Sequence, residues 1–157
     1  MRNTTSHQAG FTLLETVMVV GLALILTVIS IAALQQFGNR SGHREAAHII
    51  LGTLEEAHAR TLASQNDTVY GVHFEATEVV VFEGATYIAG DPTNETYPLP
   101  PRASITNIAL GGSSEATFER LSGSATATGT VTVALTSDVS QSKTLTIYTS
   151  GLTEITD

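Results

Sequence analysis

From Phe11 to Leu34 the chain reads FTLLETVMVVGLALILTVISIAAL, 24 residues with one charge, Glu15. As a helix rising ~1.5 Å per residue this run extends about 36 Å, against a hydrocarbon core of about 30 Å. It predicts a helix that crosses a membrane. An ionised carboxylate near the centre of such a segment costs roughly 2.5–3.5 kcal/mol on insertion scales, so by default it marks a working site with a partner. The preceding MRNTTSHQAG carries Arg2 and the terminal amine, which favour a cytoplasmic N-terminus, although Arg40 and Arg44 lie on the far side. The expected orientation is N-in, C-out in the inner or cytoplasmic membrane.

No proline occurs between Phe11 and Asp91, so nothing forces the helix to stop where the apolar run does. After Gly38, Ala47, Ile50, Leu54, Ala57 and Thr61 recur at steps of three and four, with Arg44, Glu45, Glu55, Glu56 and Arg60 between them. One long helix is predicted from about Phe11 to Ser64, membrane-embedded in its first half and lying on a domain in its second, with Gly38 and Gly42 as weak points. Beyond SQND the period changes, and seven strands are expected: 69–74, 78–83, 104–110, 116–120, 130–135, 145–149 and 152–155. Strands that follow a helix without alternation indicate an antiparallel sheet, hence the α+β class. The domain plan is 1–10 as a leader, 11–37 as the apolar helix and 38–157 as a globular unit. The segment 84–102 holds all four prolines and reads as a surface loop with a short strand at 86–89, while 121–130 reads as a flexible connection.

Fifteen acids against seven Lys and Arg give a net charge of −8, which lacks the cationic footprint of nucleic-acid binding. With no cysteine there is no disulfide, thiolate metal site or Cys nucleophile. His43 and His48 are five apart, not the four that a zinc-binding helix face requires, so no metal and no cofactor is expected. His58 and His73 have no partner identifiable by spacing. Asp91, Asn94 and Glu95 supply hard oxygens of the kind calcium prefers, but without EF-hand spacing, and a solvated turn is the expected meaning. Ser113 and Ser150 sit beside glycines without a G-x-S-x-G elbow, so no catalytic residues and no enzyme are predicted.

A short leader ending in Gly10, an aromatic Phe11, and Glu15 as the fifth residue after that glycine, followed by the apolar run, together resemble the processing site of type IV pilins and of type II secretion pseudopilins. The resemblance implies cleavage between Gly10 and Phe11 by a membrane aspartyl prepilin peptidase, with N-terminal methylation of the new terminus. It also implies assembly into a filament with copies of itself or other pilins. The amine of Phe11 in one subunit would then meet the carboxylate of Glu15 in another; pairing within one chain is also open, since the two lie about one turn apart. Such a pair acts on register more than on net stability, because desolvation can exceed the Coulomb gain, while leaving either charge alone is strongly unfavourable.

EEAHARTLASQNDTVYGVHF resembles the helix end and first strand of the GspH/FimT-type pseudopilin domain. Ala59, Arg60 and Ala63 hold its A-R-x-x-A-x-x-x-N spacing, but Asp67 takes the final position and Asn66 falls one early. ATFERLSGSATATGTVTV and LTIYTSGLTEI are similar to the closing strands. Some relatives that take up DNA have a basic C-terminal region, whereas this sequence ends with Glu154 and Asp157, which argues against such a role here. It also lacks the membrane-helix proline of many type IVa pilins, Ala32 standing near that depth, and the disulfide-bounded loop of many major pilins. The implied function is a structural subunit of a type IV pilus or secretion pseudopilus, handled by the assembly machinery and ending as an extracellular or periplasmic filament. The competing expectations are a secreted binding module with a signal peptide cut before Ala33, and a membrane-anchored module that keeps residues 1–10.

Overall fold

The computed structural model describes residues 12–156, and its class is α+β. Helical residues, α1, run Leu13–Leu62, and the chain divides into two compact units after Gly38. The expectation placed the ends of this helix near Phe11 and Ser64. In the first unit, Leu13–Ile31 has a mean hydropathy of 2.4 and none of it is buried, so it is long and apolar enough to cross a membrane.

In the second unit the stripe read from the sequence is the buried face of α1. Ala47, Ile50, Leu54, Ala57 and Thr61 are all at most 1% exposed, while Arg44, Glu45 and Glu55 face solvent. Opposite that stripe, among the described residues, eight strands form two four-stranded antiparallel sheets. The first has the order β3 (Glu95–Pro98), β2 (Glu78–Glu83), β1 (Tyr70–Phe74), β5 (Glu115–Thr117). The second has β4 (Ala103–Ala109), β6 (Gly129–Leu135), β7 (Asp138–Ile147), β8 (Thr153–Thr156). Alternation puts Val72, Phe74, Val79 and Val81 from one sheet and Ile105, Val131, Val133, Leu145 and Ile147 from the other into one core with the helix. The single sheet expected is thus two sheets sharing that core.

Thr61 joins the helix to the first sheet. Its hydroxyl donates to the Ala57 carbonyl (2.9 Å) and accepts from the Tyr70 amide (2.9 Å), so the end of α1 and the start of β1 share a fully buried atom. Between them the chain reverses through Ser64, Asn66 and Asp67, all with φ of 50–57°. Asn and Asp tolerate this left-handed region better than most side chains. Arg120 donates to the Asp67 carbonyl (2.6 Å) and carboxylate (3.0 Å), and Asn66 donates to the Tyr70 hydroxyl (3.0 Å).

Three expectations change. The strand sought at 86–89 is absent; Glu95–Pro98 pairs with β2 instead. It is an edge strand ending in proline, the position where a missing N–H costs no ladder bond. The segment before it covers the outer face of the first sheet, where Val80 and Phe82 are buried. Tyr87 stacks on His73 at 4.0 Å, packs edge-on to Phe82 at 5.8 Å and donates its amide to Glu115 (3.1 Å). Finally, 121–130 is tied down: Thr126 and Thr117 exchange backbone and hydroxyl hydrogen bonds, and Ala125 is buried.

Arg60 fastens β3 to the helix. Its guanidinium grips both oxygens of Glu95 (2.6 and 3.0 Å) and pairs with Glu56 one turn back, while the Tyr97 hydroxyl lies between the carboxylates of Glu56 (3.0 Å) and Glu95 (3.1 Å), which share its one proton. Hydrogen bonding to Arg60 is the main cause holding the Glu95 carboxyl below its usual value, and burial, then the Glu56 carboxylate, pushes the Tyr97 hydroxyl up to about 12. Both signs follow from linkage. The Glu95 contribution is present above the ordinary carboxyl value of 4.5 and is lost as pH falls through the depressed one; the Tyr97 contribution is lost as pH rises from 10 towards about 12. Arg60→Met is expected to cost roughly 1–2 kcal/mol, kept modest because Glu95 is half exposed. Glu95→Gln should flatten the acid limb of the stability profile of the full chain in detergent, measured by urea unfolding. An unchanged acid limb would rule this assignment out.

Candidate functional site

The helix begins at a cap that sequence reasoning did not identify. The Thr12 carbonyl accepts from the amides of Glu15 (3.1 Å) and Thr16 (3.2 Å), and its hydroxyl accepts from the Glu15 amide (3.3 Å). Thr12-Leu13-Leu14-Glu15 is a T-x-x-E pattern, the sequence sign of a capping box, and it was legible in the chain. Glu15 therefore stands in the first turn, where the positive end of the helix dipole favours a carboxylate. This is a local reason for an acid at this end of the apolar run, and it leaves the carboxylate exposed.

Beyond Glu15 the surface is apolar. Leu13, Leu14, Val17, Leu24, Val28, Ile29 and the other large hydrophobic side chains as far as Ile31 are each more than half exposed. The hydroxyls in this stretch are satisfied within the helix: Thr16 donates to Leu13 (2.9 Å), Thr27 to Ala23 (2.7 Å) and Ser30 to Leu26 (2.8 Å). Backbone and hydroxyl groups are thus compatible with an apolar surrounding, as a helix in lipid or among other helices requires. The carboxylate of Glu15 is the exception. Gly10 and Phe11, the expected processing residues, lie outside the described residues, so the geometry bears on Glu15 alone.

The remaining candidates do not converge. His43 is buried and His48 exposed, and among the described residues no three metal-ligating side chains come together. In 91–95, one carboxylate oxygen of Asp91 accepts from the Thr93 hydroxyl (2.6 Å) and amide (2.8 Å), which hold its carboxyl below the usual range, the Asn94 side-chain amide donates to the Ile88 carbonyl (2.8 Å), and Glu95 belongs to Arg60. His58 packs edge-on to Phe118 at 5.1 Å and lies against Gly123 and Gly151. In the stretch that carries the second resemblance, Arg60 and Asp67 hold elements together through ion pairs. Comparison with protein-family models, with curated proteins and with solved structures returned no match.

Proposed function

We propose that this chain is a pilin-like structural subunit. It enters the inner membrane as a precursor with its N-terminus inside, is cut by a prepilin peptidase after Gly10, and is assembled through its apolar helix into a type IV pilus or secretion pseudopilus. What carries the reading is the exposed apolar surface of Leu13–Ile31 with one carboxylate, Glu15, in its first turn. Such a surface needs lipid or other apolar helices around it, and the acid needs a positive partner there. Cleavage would supply that partner as the amine of Phe11. A filament also supplies the apolar surroundings, so the helix passes from one hydrophobic medium to another, with the energy of transfer provided by assembly machinery.

Intact-mass measurement with N-terminal sequencing of the chain recovered from its own cells tests the processing step. Phe11 is expected at the terminus, with the amine methylated. Ala33 there would instead make the run a signal peptide, and Met1 would make it an uncleaved anchor; either result overturns the proposal.

A further inference from the structure

On the exposed side of α1 in the second unit, Arg44 and His48 stand one turn apart. With Lys143 of β7 they surround an open pocket of about 310 Å³, lined also by Ala47 and Ile155. A cationic pocket is unusual on a chain with fifteen acids and seven Lys and Arg. Two of those seven, Arg60 and Arg120, are taken up by carboxylates of their own chain. Arg44 remains at the surface beside His48, and Lys143 has in addition an interaction within its own copy.

We propose that this pocket seats a carboxylate side chain of a second copy of the chain, an inference that rests on the filament reading above. The chemistry fits on both sides. A planar guanidinium and an ammonium offer forked and point donors to a carboxylate, and the apolar Ala47 and Ile155 can pack the methylenes of an Asp or Glu side chain. Copies of this chain carry the matching charge in excess, including the exposed Glu45 and Glu55 of α1. Where such a contact is not returned across a two-fold axis it is heterologous and can propagate head to tail, which is the geometry a filament needs. Charge pairs at this exposure act mainly on register and encounter, and salt screens them over roughly 8 Å at physiological ionic strength.

Lys143 is the only lysine in the chain, which makes the test specific. Filaments are collected from a culture expressing heavy-nitrogen and ordinary copies of the full chain together, then treated with a zero-length carbodiimide, which joins an amine to a carboxylate in contact. The expected result is a Lys143–Asp or Lys143–Glu peptide of mixed isotope composition, reduced several-fold in Arg44→Gln and again in high salt. If filaments contain the chain but Lys143 links only within one isotope population, or to another protein, the pocket does not seat a second copy. Inorganic phosphate that shifts the His48 resonances of the full chain in detergent, without a mixed-isotope link in filaments, would assign the site to a free anion and also overturn the inference. Absence of the chain from any filament is a different failure, that of the assembly reading itself.

Discussion

Glu15→Ala is expected to abolish incorporation of the chain into filaments while the unit from Asn39 onward keeps its fold. The carboxylate lies outside the core of that unit, so its removal deletes no packing there. In a filament it would leave the Phe11 amine without a counter-charge among apolar helices. Removing one member of a buried charge pair costs about 3–5 kcal/mol, and each ~1.4 kcal/mol is a factor of ten in an equilibrium. A loss of about two to three and a half decades in incorporation is therefore expected. Glu15→Gln separates charge from capping, because glutamine also serves at the third position of a capping box. If Gln assembles normally where Ala does not, the residue is a cap and the pairing fails. The measurements are the amount of chain in sheared filaments and the circular dichroism of each variant in detergent.

Gly129→Ala is expected to destabilise the globular unit by about 3 kcal/mol or more, because overpacking and backbone strain coincide there. A methyl at this position would lie 1.9 Å from the Ala109 carbonyl oxygen, and φ of 148° is a conformation that side chains other than glycine avoid. Both obstacles are backbone, so no rotamer change relieves them. The site is where β6 begins alongside the end of β4, and its displacement should loosen the pairing of Ala109 with Thr130. Gly52→Ala is the control: it stands exposed in α1 with nothing within 4 Å, and should be stabilising by roughly 0.5–1 kcal/mol. Urea unfolding of both variants decides the point; equal midpoints would show that the backbone at Gly129 can yield.

What was legible in the sequence follows a simple physical line. The buried stripe of α1 could be read because burial on one side imposes its own period on neighbouring residues, and the span of β2, Glu78–Glu83, because burial on both faces leaves a short continuous apolar run. β3 could not, since an exposed edge strand needs neither alternation nor a run of β-branched residues. For β7 only the part near Leu145 and Ile147 was apparent; its first half, DVSQSK, is polar because it extends beyond the core. Glu15 was visible as a lone charge, and Thr12 could have been read with it. Arg60 with Glu56 fits the spacing of one helical turn, but its grip on Glu95, 35 positions away, depends on the fold. The same holds for the pocket, where Arg44 and His48 are neighbours in sequence and Lys143 is not.

The inward bonding of Thr16, Thr27 and Ser30 has one last consequence. A rod whose hydroxyls are all occupied with its own carbonyls has no polar preference for any azimuth about its axis. Among apolar neighbours only side-chain shape then distinguishes one angle from another. Within the apolar span, the polar part of the orienting torque would then fall to a single charge near one tip.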